Sequence, residues 1–148
     1  RALLDGAIPE LTGYAEILPE QKIGASRIDF LLRDPIQGLC YVEVKNVTLK
    51  DEGSPLALFP DAVSERGQKH LRELMQLRAQ GHRAVMLYLV QRGDVQGFGP
   101  ARSIDPAYAN LLEMALSQKV EAIVRGTRFI NGSLLLADGP AFEISFRS

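Results

Sequence analysis

Ser26-Arg27-Ile28-Asp29-Phe30-Leu31-Leu32, then Asp34-Pro35-Ile36-Gln37-Gly38, then Leu39-Cys40-Tyr41-Val42-Glu43-Val44-Lys45-Asn46-Val47 is the stretch on which the fold turns. Arg27 to Leu32 and Leu39 to Val47 read as strands. Residues 34–38 carry turn chemistry, with Pro35 presetting φ and Gly38 tolerating positive φ. So short a connection predicts an antiparallel hairpin. Side chains alternate along a strand, so Glu43 and Lys45 point one way while Val42, Val44 and Val47 are free to serve the core. Asp29 sits between apolar Ile28 and Phe30, and the hairpin brings it beside Glu43.

Outward from the hairpin, residues 2–8 read as a short helix that Pro9 ends, and Tyr14 to Ile23 as a strand interrupted by Pro19. Asp61 is the expected N-cap of a helix from Ala62 to Ala79, with Gly81 its stop. Ala84 to Val90 has the length and the Val, Leu and Tyr content of a strand buried on both faces. Asp105-Pro106 opens a second helix running to about Gln118. Glu121 to Val124 and Arg128 to Ile130 are expected strands. Asn131-Gly132 then turns into Leu134-Leu135-Leu136, with Phe142 to Phe146 last. Gly93 to Pro100 holds three glycines without phosphate-loop spacing and reads as a plain loop. Arg125 and Arg128 flank an expected turn at Gly126-Thr127 that serves solubility. The order predicts one α/β domain over residues 1–148, a mixed β-sheet flanked by helices.

Composition narrows the function classes. The chain has 148 residues, 46% of them apolar, enough for one real core. Its 17 basic and 18 acidic residues nearly cancel, so a nucleic-acid surface would have to be a local patch. Cys40 is the only cysteine, which excludes an intrachain disulfide and makes a reducing cytoplasm the expected compartment. With His70 and His82 as the only histidines, no closely spaced zinc set can be assembled. The longest apolar run, Ala84 to Val90, is too short to cross a bilayer, and no signal peptide is visible.

Two carboxylates brought together repel, and each raises the other's pKa unless a cation sits between them. A hard divalent ion such as Mg²⁺ relieves that repulsion. Lys45 beside it would orient or deprotonate water, or stabilise charge developing on a phosphate. On pattern alone, an acid and a base on one strand face fit an exposed salt-bridged surface at least as well. At 100° per residue, Leu71, Leu74 and Met75 share one side of the first long helix, while Arg66, Lys69 and His70 gather on another. That basic group reads either as a contact for phosphates or as a solvated helix face.

The linked motifs Ser26–Leu32, Tyr41–Leu49, Phe59-Pro60-Asp61-Ala62, Arg66-Gly67-Gln68-Lys69-His70-Leu71, Gly81-His82-Arg83-Ala84 and Ile104-Asp105-Pro106 strongly resemble the sugar fermentation stimulation protein A family. The resemblance implies a PD-(D/E)XK, restriction-endonuclease-like core. It maps the motif's two acids onto Asp29 and Glu43, which would hold Mg²⁺ or Mn²⁺, and its lysine onto Lys45. Many such enzymes add a glutamate from the first helix; Glu10 is the candidate here, with Glu16 and Glu20 as alternatives. Full-length members carry a preceding OB-like domain, which lies outside residues 1–148. The expected activity is metal-dependent phosphodiester hydrolysis on DNA, or on RNA, with Arg66, Lys69 and His70 contacting the nucleic acid. The alternative is a DNA-binding protein that does not cut and acts as a regulator of maltose metabolism.

Overall fold

A computed structural model describes residues 8–130, 133–135 and 141–146. The predicted hairpin forms: β2 (Ser26–Asp34) pairs antiparallel with β3 (Gly38–Val47) in the register Phe30↔Val42 to Asp34↔Gly38. Its turn is held by the Asp34 carboxylate, which accepts from the Ile36 and Gln37 N–H groups at 2.9 Å, and Gly38 takes φ 82°. The preceding strand, β1 (Glu16–Ile23), contains Pro19, which is tolerated because β1 lies at the sheet edge.

Beyond β3 the chain adds a small antiparallel pair, β4 (Leu49–Lys50) with β5 (Leu56–Phe59), before helix α1 (Glu65–Ala79). Next come β6 (Arg83–Val90), β7 (Gly97–Pro100), helix α2 (Pro106–Ser117) and β8 (Glu121–Gly126). The main sheet has the order β1-β2-β3-β6-β8, antiparallel through β3 and parallel from β3 to β8. Both crossovers step the same way across the sheet, so their common handedness puts α1 and α2 on one face. There Leu71, Leu74, Tyr108 and Leu112 pack against Met86 and Tyr88 of β6. The opposite face is covered by Ile8 and Leu11, around the one-turn helix Pro9–Leu11, which pack on Leu32, Val42, Val85 and Ile123. The central strand β6 is buried on both sides, as its continuous apolar run requires.

Several expectations are corrected. The first long helix begins at Glu65 and not at Ala62. Its N-cap is Ser64, whose Oγ accepts from the Gly67 N–H at 2.9 Å, and the Ser64 N–H is itself tied to the Asp105 carboxylate from another segment. Residues 97–100, read as loop, form β7, which pairs parallel with β5 and completes a second sheet in the order β4-β5-β7. In Gly-Phe-Gly-Pro only Phe98 favours a strand; burial of these four residues beside β5 outweighs the weak local preference. Arg125 lies in β8 and makes an ion pair with Glu10, so it is a structural residue, not a turn residue kept for solubility. In place of a closing strand, residues 142–146 make a single bridge, Phe98↔Ile144. β9 (Arg128–Ile130) and β10 (Ser133–Leu135) pair antiparallel, while the Asn131-Gly132 turn, the helix over residues 2–7 and Leu136 lie outside the described residues.

Gly67 marks where α1 meets α2. An alanine Cβ there would lie 2.7 Å from Ser64 Oγ and 3.1 Å from Tyr108 Cε2. Gly→Ala inside a helix normally gains up to about 1 kcal/mol. Here the clash falls on the N-cap itself, and overpacking costs roughly 1–3 kcal/mol. Gly67→Ala is therefore expected to lower stability in urea denaturation, and a rise would mean that the cap and Tyr108 yield freely.

Candidate functional site

Asp29 stands where the hairpin loses its regularity. The β2–β3 ladder ends at Phe30↔Val42, and the next N–H that matters, that of Val44, donates to Asp29 Oδ2 at 2.8 Å. On the other side of β2, the pairing with β1 skips Glu20, which takes φ 52°, and resumes at Gln21↔Ile28. Alternation breaks at the same point: Phe30 and Leu32 pack on one face of the sheet, Ile28 on the other. Local disruptions of this kind re-aim a side chain. Here they turn the Asp29 carboxylate toward β3.

Glu43 and Lys45 leave β3 on the helix side, beside Met86 and Tyr88 of β6. Glu43 is only 2% exposed, and Lys45 is half-buried. From α1, His70, itself 4% exposed, brings Nδ1 to 2.7 Å from Glu43 Oε2 and 2.9 Å from Lys45 Nζ. The approach to Glu43 has ion-pair distance but not hydrogen-bond geometry, so the buried Oε2 has no hydrogen-bond partner among the described residues. Burial, and next the Glu43 carboxyl, push the Asp29 pKa up to about 6. For Glu43, burial also acts upward, but interactions with His70 and Asp29 outweigh it and hold the carboxyl below its ordinary value. When the pair takes up a proton, Asp29 holds it in preference to Glu43. Burial lowers the Lys45 pKa against the pull of both carboxylates, and Arg66 adds to the lowering, so its guanidinium is electrostatically part of the site.

Asp29, Glu43 and Lys45 are thus brought together. The sequence-predicted Glu10 is not: its carboxylate pairs with Arg125, whose side chain shares the sheet face of Ile123, opposite the helices. The alternatives do not replace it, since Glu16 pairs with Arg33 at 2.6 Å and Glu20 is exposed on the edge strand. Among the described residues, no group of three His, Cys, Asp or Glu side chains has the arrangement to hold an ion. An ion here would rest on two carboxylates, completed by main chain and water. The basic trio also divides, with Arg66 and Lys69 exposed and His70 buried against the acids.

Sequence reasoning missed the support beneath this cluster. Asp105, 1% exposed, caps α2 by accepting from the Tyr108 N–H at 3.0 Å. It also accepts from the Ser64 N–H at 2.8 Å and from Gln68 Nε2 at 3.0 and 3.2 Å, so one carboxylate anchors the starts of both helices. The Tyr88 and Tyr108 hydroxyls meet at 2.5 Å in the core below Glu43. The Asp-Pro signal was visible for the cap alone; nothing local advertised the reach to residues 64 and 68.

A mixed sheet that presents two acids and a lysine from a β2–β3 hairpin defines a domain of the restriction-endonuclease-like, PD-(D/E)XK fold class. Residues 1–131 match the family described as the sugar fermentation stimulation protein RE domain, and the chain belongs to that family. It is 58% identical over 123 residues to a sugar fermentation stimulation protein homolog of Citrifermentans bemidjiense, covering 82% of this chain and 52% of that protein. To the homolog of Rhodospirillum centenum it is 56% identical over 126 residues, covering 84% and 54%. The chain thus spans about half the length of the curated relatives it matches. Among solved structures it is similar to SfsA of Pyrococcus furiosus in complex with Ca²⁺, with a TM-score of 0.86, 30% identity, and coverage of 98% of this chain and 61% of that one.

Proposed function

We propose that this domain is a metal-dependent nuclease that hydrolyses phosphodiester bonds in DNA or RNA with Mg²⁺ or Mn²⁺. The observation that carries the reading is the buried Glu43 Oε2, which has no hydrogen-bond partner among the described residues and lies beside a second carboxylate whose pKa is raised. A buried acceptor left in that condition costs free energy, and a divalent cation held between the two carboxylates would offset that cost. Asp29 and Glu43 are the residues that would hold the ion, and the complex of the Pyrococcus furiosus relative with Ca²⁺ supports a divalent occupant. Such an ion supplies Lewis-acid polarisation of a phosphoryl oxygen and lowers the pKa of water. Lys45 Nζ, held 2.9 Å from His70 Nδ1, would as ammonium offset charge building on phosphate. Exposed Arg66 and Lys69 neutralise the flanking backbone.

Incubation of labelled single- and double-stranded DNA with the protein and Mg²⁺ or Mn²⁺ tests this. Cleavage should vanish with chelator and fall by about 10²–10³ in Lys45→Ala, the scale of losing one transition-state donor. DNA retained on a gel but uncut with every metal would replace the nuclease with a DNA-binding protein that does not cut.

A further inference from the structure

A polar cavity of about 430 Å³ opens at the start of β3, roughly 20 Å of strand away from Lys45. Its wall includes Arg78, His82, Arg83, Lys119, Glu121 and Gln37. Arg83 is committed: its guanidinium grips Glu121 through two bonds of 2.6 and 2.7 Å and also donates to the Tyr14 hydroxyl. Arg78 and Lys119 have no such commitment; among the described residues no carboxylate pairs with either. Counting Arg78, Arg83 and Lys119 against Glu121 leaves a formal charge of +2 with His82 neutral, in a chain whose total is −1.

The plain explanation for Arg78 and Lys119 is that each offsets the negative end of a helix, since α1 and α2 both terminate here. Those ends are already capped by main chain, however. Gly81 and His82 N–H groups bond the carbonyls of Arg78 and Leu77, and those of Lys119 and Val120 bond Leu116 and Ala115. With the terminal carbonyls satisfied in this way, neither side chain is taken up as a capping donor, and both line the cavity. His82 is fixed at its wall by a ring contact with Tyr41, centroids 5.6 Å apart.

We propose that this cavity is a binding site for a phosphate group, with Arg78 and Lys119 as its charge partners and His82 as a hydrogen-bond donor. A guanidinium, an ammonium and a ring N–H lining one cavity suit the three acceptor oxygens of a phosphomonoester. The site is separate from the Asp29–Glu43 cluster and does not depend on its being a metal centre.

The test is a titration of the purified protein in EDTA, which removes any contribution of divalent ions, read by the NMR shifts of the His82 ring. Three probes are used: inorganic phosphate, a 5′-phosphorylated oligothymidylate, and the same strand with a 5′-hydroxyl. Saturable shifts are expected, with affinity falling about tenfold in Arg78→Glu and in Lys119→Glu. Arg72→Glu, an equal charge change at an exposed α1 position outside the cavity, should leave it unchanged. Preference for the 5′-phosphorylated strand over both other probes would assign the phosphate to a nucleic-acid end. Binding of inorganic phosphate with no gain from the strand would assign it to a small phosphorylated molecule. An unmoved His82 ring, or equal weakening in Arg72→Glu, overturns the site.

Discussion

Freed of divalent ions at pH 7.5, Asp29→Asn is expected to melt at a higher temperature than the parent while losing Mn²⁺ or Ca²⁺ affinity by on the order of 100-fold, about 2.7 kcal/mol. The stability gain follows from sign. In the folded protein the Asp29 pKa is raised from 3.8 to about 6, chiefly by burial and then by Glu43. The folded state holds this proton more tightly than the unfolded chain, so Asp29 favours folding below pH 3.8. That contribution is lost as pH rises through 6. Full conversion of the shift would give about 3 kcal/mol; because Asp29 is only part-buried, solvent screening brings the expected gain to roughly 1–2 kcal/mol. The amide keeps an oxygen to accept from Val44 N–H, so the contact that holds residue 29 against β3 survives. Melting curves from pH 4 to 8 should show the advantage of the variant growing through pH 4–6 and then levelling. A variant less stable at every pH would make Asp29 a structural residue and remove it from the proposed metal pair.

Asp105→Ala should destabilise the domain more than Gly67→Ala does, by about 3–5 kcal/mol. It strands three donors at once: the Ser64 and Tyr108 N–H groups and the Gln68 amide. Each unsatisfied buried group costs roughly 1–3 kcal/mol, and the loss includes the N-cap of α2. Against a total of about 5–15 kcal/mol for an ordinary domain, this is a large fraction. Burial alone would raise the Asp105 pKa, but the two main-chain donors and Gln68 outweigh it and hold the carboxyl below 3.8. Its stabilisation is therefore complete above the unfolded pKa and disappears as pH falls through the lower folded value. Urea unfolding at neutral pH measures the loss, and a change under about 1 kcal/mol would show that water replaces the carboxylate. The consequence for chemistry is positional, because Arg66, Gln68 and His70 all ride on the first turns of α1. A loosened α1 start should weaken divalent-ion binding in Asp105→Ala even though Asp105 is not one of the two proposed metal carboxylates.

Much of this molecule was legible locally. Strand period and turn chemistry determined the β2–β3 hairpin, the common side of Glu43 and Lys45, the doubly buried β6 and the start of α2 at Asp105-Pro106. These depend on residues within a few positions of one another, so their physics is written in order along the chain. Only the tertiary structure decided that Glu10 pairs with Arg125 on the far face of the sheet. The burial of His70 likewise depends on how α1 rolls onto the sheet, which periodicity leaves open within one helical face. The strand at Gly97–Pro100 exists because β5 offers it a partner, and Asp105 joins two helices 41 residues apart in its bond to Ser64. Such contacts form between segments that the chain brings together only on folding, where burial and unsatisfied polar groups outweigh local preference.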